Sequence, residues 1–198
     1  MRIGSMKTLM TLTAGVALAL SLSANAMAED AGSNDALAAQ ARGLVAKFSD
    51  KLKSELVGAM KAEGPVKAIE MCNVAAPAIA AEVSTEGWTV RRTSLKLRNA
   101  KAKPDAWEKQ TLEFFEAVKA KGADVAKLER FEIADVGGVP TFRYMKVIPT
   151  AEPCLTCHGS NVQELVKAKL AVLYPEDQAT GFQAGDIRGA FTLSKPLR

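Results

Sequence analysis

Side chains that bind metals or react with thiols are scarce in this sequence. The 198 residues include one histidine, His158, and three cysteines. A single histidine excludes sites built from two or more imidazoles. Only one Cys-x-x-Cys segment occurs, so a zinc ribbon, which needs two such pairs, is not expected. Any metal or redox chemistry must therefore be concentrated around very few residues.

Long apolar runs and a strong net charge are also missing beyond the N-terminus. After residue 28 no stretch is apolar enough to cross a membrane, so we expect a soluble mature protein without membrane insertion. The net charge of +4 falls to +2 (+4 minus two) if Arg2 and Lys7 are removed. Such a small charge gives no case for nucleic-acid binding.

The first 28 residues have the organisation of a secretory signal peptide. Arg2 and Lys7 supply a positive start, residues 9–22 are uncharged and apolar, and Ala26-Met27-Ala28 is a small-x-small cleavage site. An uncleaved membrane anchor is the alternative, but the apolar run is shorter than the ~20 residues that span a bilayer. We therefore predict a signal peptide over 1–28, export to the periplasm, and a single domain over 29–198.

The one Cys-x-x-Cys segment is Cys154-Leu155-Thr156-Cys157, and His158 follows it directly. This is the attachment sequence for c-type haem. Its spacing lets each thiol form a thioether with a haem vinyl group, and it places His158 where the imidazole reaches the iron as the proximal ligand. A thioredoxin-type redox pair is the alternative, but two prolines precede the motif. The motif predicts one covalently attached haem c, with thioethers at Cys154 and Cys157.

The apolar periodicity predicts an α+β fold, with long helices first and a small antiparallel sheet after them. A Gly64-Pro65 break separates the first two helices, and Pro77 is expected to kink the second. Gly137-Gly138 is expected to turn a β-hairpin. We predict helices over 36–63, 66–83, 105–121 and 162–174, and strands over 88–95, 131–136, 141–148 and 187–193.

Cys72 is left without a disulfide partner, which needs explaining in an exported protein. It lies in the second predicted helix, and the simplest explanation is a small buried apolar side chain. It is also a candidate for the second axial position on the iron, which no other histidine can fill. From the residues alone, Met60, Met71, Met145, two tyrosines and many lysines compete for that position.

The sequence resembles a family of exported single-haem proteins with a PAS-like domain, known from cyanobacteria and proteobacteria. The similarity covers nearly all of the mature chain, in the same order. The matching segments are Met71-Cys72-Asn73, Ala76-Pro77-Ala78-Ile79-Ala80, Arg92-Thr93-Ser94-Leu95-Lys96-Leu97-Arg98-Asn99, Pro104-Asp105-Ala106-Trp107-Glu108, Cys154-Leu155-Thr156-Cys157-His158-Gly159 and Gly185-Asp186-Ile187-Arg188-Gly189-Ala190.

This resemblance implies a PAS-like fold and a specific pair of iron ligands. In the family, the histidine after the Cys-x-x-Cys pair and the cysteine of the Cys-Asn helix hold the iron. Carried over, His158 is the proximal ligand and Cys72 the distal ligand. Asn73 could then orient the thiolate, although a capping or core role is equally compatible. The same PAS-like module also occurs as the sensing part of membrane receptors and kinases.

Four basic residues, Arg91, Arg92, Lys96 and Arg98, lie close together in the sequence. They form either a solvated strand and loop or a source of partners for the haem propionates, since arginine suits bidentate contact with carboxylates. Arg92 and Arg98 are named as candidates. Trp88, Trp107, Phe142 and Tyr144 are each expected in the core, with one or two lining the haem pocket.

Three functions are compatible with such a site. The first is a redox or gas sensor, in which NO or CO displaces Cys72 and a separate signalling protein receives the change. The second is a low-potential electron carrier, which needs a redox partner protein, because a thiolate ligand lowers the reduction potential. An enzyme such as a peroxidase is the third. We expect no enzyme, since no distal histidine exists and Cys72 would block the iron.

Overall fold

A computed structural model describes the chain over residues 17–197, with side chains described from Ser33 onwards. It divides into two compact units, one ending at Ala36 and the other running from Leu37. Most of the predicted signal peptide lies outside the described residues, so its cleavage stays a prediction. None of the helices in the described part is long and apolar enough to cross a membrane. The fold and the site below belong to the second unit.

Helix α1 (Ala17–Val83) contains both of the first two predicted helices. Gly64 divides it, with φ of 80° and ψ of −176°, a conformation that glycine reaches without a Cβ clash. Pro65 follows and begins the second limb, where its fixed φ suits a first helical turn. The predicted break is therefore confirmed. Pro77 keeps helical φ/ψ, unlike Gly64, and the neighbouring Ile79 is held in the core.

Four antiparallel strands form one sheet in the order β1-β4-β3-β2. Strands β2 (Glu129–Val136) and β3 (Val139–Pro149) form the predicted hairpin across Gly137 and Gly138. Strand β1 (Thr89–Thr93) pairs with the C-terminal β4 (Ile187–Pro196), which also pairs with β3. β4 is thus central and brings residues of β1 and β3 into one surface.

The sheet separates two helical layers, because alternate side chains along each strand point to opposite faces. One face packs against α1 and forms a first apolar cluster with it. The other face packs against α2 (Ala106–Lys119) through a second cluster. The α1 side includes Phe48, Ile79, Trp88, Val90, Phe142, Tyr144, Phe191 and Leu193; the α2 side includes Leu112, Phe115, Met145, Val147, Ile187 and Ala190.

The remaining helices lie between β3 and β4. A 3₁₀ turn (Glu152–Cys154) leads into the short α3 (Leu155–His158), and α4 (Glu164–Leu173) follows. Two further 3₁₀ turns, Ala100–Ala102 and Val125–Lys127, flank α2. A third apolar cluster joins α4 to the second limb of α1 through Ile69, Val166 and Leu170. The predicted α+β class with a small antiparallel sheet is confirmed, and the PAS-like assignment stays a prediction.

Candidate functional site

Both thiols and the imidazole of the predicted haem motif lie on two consecutive helical turns. Cys154 ends the 3₁₀ turn that Pro153 helps to start, and Cys157 and His158 complete α3. Gly159 closes the turn, with its N–H donating to the Leu155 carbonyl oxygen at 2.9 Å. A Cβ at position 159 would lie 2.7 Å from that same oxygen. The tight turn therefore requires glycine directly after the histidine.

The loop after α4 holds His158 at both its backbone and its ring. Phe182 N donates to the His158 carbonyl oxygen at 2.9 Å, and Nδ1 of the ring lies 2.7 Å from the Ala179 carbonyl oxygen. A carbonyl oxygen only accepts, so Nδ1 carries the proton and donates. Nε2 then keeps its lone pair. This is the tautomer of a histidine that ligates a metal through Nε2 while its other nitrogen is anchored.

The electrostatic surroundings of His158 favour its neutral form. Burial, followed by the positive charges of Arg188 and Arg98, lowers the pKa of the imidazole to about 2, although the hydrogen bond to Ala179 opposes the shift. A neutral imidazole is the form that binds a metal ion. Burial and the neighbouring arginines therefore favour the protonation state in which His158 can act as a ligand.

Arg98 fastens three segments of the site together. Its guanidinium forms a bidentate ion pair with Asp177, with Nε 3.2 Å from Oδ1 and Nη2 3.0 Å from Oδ2. The same Nη2 donates to the carbonyl oxygens of Cys157 at 2.6 Å and of Ala179 at 3.1 Å. This sequence-predicted propionate partner thus already has a carboxylate partner in Asp177.

Arg188 is the basic side chain nearest to the His158 ring among the described residues, and sequence reasoning did not assign it a role. Its Nε lies 3.1 Å from Nδ1 and 3.3 Å from Nε2 of the ring. Nη1 donates to Ser94 Oγ at 3.1 Å, and the guanidinium lies over the Phe182 ring. Burial and then the charges of Arg98 and Arg92 lower the pKa of Arg188 to about 10. The signal was present, since Arg188 lies inside one of the segments that carry the family resemblance.

Cys72 is half-buried on the second limb of α1 and lies near the haem motif despite its distance in sequence. Burial raises the pKa of its thiol, the charge of Arg92 lowers it, and Cys157 raises it further. Two residues earlier, Glu70 accepts a hydrogen bond from Lys169 Nζ of α4 at 2.6 Å. Burial raises the pKa of the Tyr174 phenol, and Asn73 lies near enough to oppose that rise. Cys72 is therefore near enough to Arg92, Arg98 and Cys157 of the motif for their charges to affect its pKa.

Arg92 and Lys96, the other basic candidates, lie beside this group. The Arg92 guanidinium is 5.5 Å from the centre of the Phe48 ring. Its side chain is exposed to solvent, and desolvation by the protein atoms around it lowers its pKa. Lys96 lies over Phe182, with Nζ 5.1 Å from the ring centre. Arg91 points to the opposite face of the sheet and pairs with Glu108.

The aromatic candidates are distributed between the two faces of the sheet. Trp88, Phe142 and Tyr144 are buried in the α1-side core, as expected. Trp107 packs against the α2-side cluster, under the guanidinium of Arg143 at 4.3 Å. Met145, a competitor for the second iron position, is fully buried in the α2-side cluster. Its side chain therefore lies on the opposite face of the sheet from Arg92 and Phe48.

Positive charge exceeds negative charge around His158. We call Arg92, Arg98, Arg188 and Asp177 the site cluster: three guanidiniums accompany one carboxylate. Within residues 33–197, the only ion pair that these arginines form is Arg98 with Asp177. In the same part of the chain, no group of three or more His, Cys, Asp or Glu side chains is arranged to hold a metal ion. The arrangement favours an anionic group beside the imidazole.

Comparison with known proteins gives two matches. A profile of the Tll0287-like family matches residues 23–196. The crystal structure of the cyanobacterial haem protein Tll0287 superposes with a TM-score of 0.57 at 24% sequence identity, over 79% of this chain and 94% of that one. No curated protein matches at a significant level.

Proposed function

The chain belongs to the Tll0287-like family, and on this basis we propose that it is a periplasmic protein with one covalently attached c-type haem. The observation that carries the proposal is the anchored ring of His158. Nδ1 donates to the Ala179 carbonyl oxygen, which leaves Nε2 as the metal-binding atom. Cys154 and Cys157 lie on the same two turns, as thioether formation beside a proximal histidine requires.

The residues around the imidazole fit the charge of a haem. A haem carries two propionates, and the site cluster has two more guanidiniums than carboxylates. Arg98 is committed to Asp177. We therefore assign the propionate contacts first to Arg92 and Arg188, with Arg98 holding the protein segments in place. Arginine suits this role because its planar fork donates two parallel hydrogen bonds to a carboxylate.

Cys72 is proposed as the second axial ligand. It is the thiol that interacts electrostatically with Cys157, Arg92 and Arg98, whereas Met145 lies in the α2-side core. The raised pKa of the free thiol means that binding to iron, rather than the protein alone, would stabilise the thiolate. A bound haem would supply an iron whose oxidation state and axial ligand can change. Cys72 would translate that change into movement of its helix.

We propose that the biological role is sensing of redox state or of a gas such as NO or CO. Cys72 lies on the limb of α1 that Gly64 separates from the rest of the helix, and Glu70 of this limb pairs with Lys169 of α4 at 2.6 Å. Release of Cys72 from the iron would therefore affect the packing of α1 against α4. No catalytic role is proposed, since a thiolate in the second axial position leaves the iron without an open site for substrate.

The test is to express the full chain in a host that attaches c-type haem. We expect haem to stay on the polypeptide after denaturation, and to be lost in Cys154→Ser/Cys157→Ser. The ferric protein should give the EPR spectrum of a low-spin haem thiolate. Cys72→Ser should abolish that spectrum, while Met71→Leu, one residue away on the same helix, should leave it unchanged. Identical spectra for wild type and Cys72→Ser would rule out the thiolate.

A low-potential electron carrier is the second candidate. Cys154, Cys157 and His158 are each only half-buried, and Arg92 is open to solvent. A haem edge near the surface is what electron transfer to a partner protein needs. Addition of CO or NO to the reduced protein distinguishes the two roles. An optical spectrum that does not change with either gas would contradict gas sensing and favour electron transfer.

A further inference from the structure

Asp177 and Arg98 form a largely buried ion pair that connects two loops of the site. Their side chains are 11% and 12% exposed. Besides Arg98, Asp177 Oδ1 accepts a hydrogen bond from Ala179 N at 2.8 Å. The pair therefore fixes the backbone of Ala179, which is itself fully buried. Gln178 N adds a hydrogen bond to the Leu97 carbonyl oxygen at 2.6 Å, which ties the same two loops together.

The Ala179 carbonyl oxygen is shared between two donors. Nδ1 of His158 donates to it at 2.7 Å, and Nη2 of Arg98 donates to it at 3.1 Å. A carbonyl oxygen has two lone pairs, so it can accept both. The charged guanidinium withdraws electron density from the oxygen and so weakens it as an acceptor for the imidazole N–H. Arg98 Nη1 also lies 3.5 Å from Nε2 of the ring, so Arg98 acts on His158 both directly and through the Ala179 carbonyl oxygen.

We infer that Asp177 and Arg98 are positioning residues that set the electron-donating strength of His158 through the Ala179 carbonyl, and with it the reduction potential of the haem. This rests on the proposed haem site. A stronger hydrogen bond at Nδ1 makes the imidazole a better donor and favours ferric iron, and hydrogen bonds to ligands are one of the levers a protein has on a haem. The charge of each residue acts in addition through space.

The two residues are expected to shift the potential in opposite directions. Asp177→Asn removes a negative charge and loosens the loop that presents the Ala179 oxygen, and both effects favour ferrous iron and raise the potential. Arg98→Met removes a positive charge and leaves the Ala179 oxygen to His158 alone, and both effects lower it. The double variant restores the charge balance, so its potential should return towards that of wild type.

The experiment is optical potentiometry of the full haem-loaded protein. Asp177→Asn should change the ratio of reduced to oxidised protein at a fixed potential at least tenfold, which is a shift of about 59 mV for a one-electron couple. Asp186→Asn is the matched control. It also removes a carboxylate that pairs with a basic side chain, Lys119, and accepts from a backbone N–H, that of Gln183, without contacting His158 or Arg98. Its shift should be less than half as large.

Each outcome supports or overturns the inference. Shifts of opposite sign that cancel in the double variant support it. Shifts of the same sign, or no larger than that of Asp186→Asn, overturn it. If Asp177→Asn does not accumulate, Arg98→Lys keeps the charge but loses the fork, and it should still lower the potential. Wild type without covalent haem would overturn the proposed function and this inference together; wild type with haem and unshifted variants would overturn the inference alone.

Discussion

Arg91 and Arg92 are neighbours in β1, yet their guanidiniums lie in opposite electrostatic surroundings. Arg91 belongs to what we call the balanced cluster, in which Arg91 and Arg143 accompany the carboxylates of Asp105 and Glu108. Arg92 belongs to the site cluster, where Asp177 is the only carboxylate. Two cations meet two anions in the first cluster, and three cations meet one anion in the second.

The charges of the first cluster pair with one another and stabilise the fold. The second cluster has positive charges that no protein carboxylate neutralises. Glu108 is 2% exposed and accepts hydrogen bonds from Arg91, Thr192 and the backbone N–H of Asp105. A buried carboxylate with that many donors is fully satisfied by the protein. By contrast, neither Arg92 nor Arg188 forms an ion pair within residues 33–197, where Asp177 pairs with Arg98. A surplus of positive charge without carboxylate partners favours the binding of an anionic group.

The largest expected effect is in the balanced cluster. Glu108→Gln should lower the free energy of unfolding by about 3 kcal/mol, because it leaves the charges of Arg91 and Arg143 without their buried partner. Urea unfolding measures this. The matched control is Glu113→Gln on the same helix, whose exposed pair with Lys109 should be worth less than about 0.5 kcal/mol. Equal losses in the two variants would remove the distinction between a structural and a surface pair.

The neighbouring arginines give the next test. Arg91→Met should cost about 1–2 kcal/mol of stability, since a hydrogen bond to a charged group is lost and Glu108 keeps only its other donors. Its reduction potential should match that of wild type. Arg92→Met should show the reverse pattern, with a lowered potential and the smaller change in stability. Urea unfolding measures the stability of both variants, and potentiometry measures their reduction potentials. If both variants lost stability and shifted the potential alike, the two faces of the sheet would not be functionally distinct.

A variant of Arg188 tests the site cluster at the position nearest to His158. Arg188→Met removes the positive charge closest to the imidazole, and positive charge near an iron favours its reduced form. We expect the potential to fall by about 60 mV, a tenfold change in the ratio of reduced to oxidised protein. Arg130→Met is the control, since its guanidinium pairs with Glu132 on the far hairpin. An unchanged potential in Arg188→Met would contradict the charge argument.

The local signals in the sequence predicted the elements well, and the long-range partners poorly. The break at Gly64-Pro65, the hairpin at Gly137-Gly138 and the helix that Asp105 caps all depend on residues next to each other in the chain, so pattern alone located them. The cap of α2 is a reciprocal pair in which Asp105 and Glu108 each accept from the other's backbone N–H. Such motifs carry their own geometry.

The residues that surround His158 are brought together by tertiary packing, which no local sequence pattern encodes. Asp177 and Ala179 follow α4, and only the return of their loop towards Leu97 brings them to His158. Whether Arg91 or Arg92 faces the site depends on the register between β1 and β4. The sequence therefore predicted that one or two arginines of this segment bind a haem propionate, but not which side of the sheet each occupies.

The smallest expected effect concerns the pH dependence of the balanced cluster. Burial alone would raise the pKa of the Asp105 carboxyl, but the Glu108 N–H and the charges of Arg143 and Arg91 together hold it below its ordinary value of 3.8. A carboxyl whose pKa is lowered by folding stabilises the protein above its ordinary pKa, and this contribution is lost as the pH falls through the lowered value.

Asp105→Asn removes that charge while keeping a good helix cap. We expect it to lower stability by less than about 1 kcal/mol at neutral pH, since the carboxyl is half exposed. The gap from wild type should close well below pH 3.8, where Asp105 is protonated in both states. Urea unfolding at the two pH values measures it, and Asp124→Asn, another capping carboxylate without an arginine partner, is the control. A gap that stays constant on acidification would mean that the charge of Asp105 contributes nothing to the balanced cluster, and that Glu108 alone stabilises its arginines.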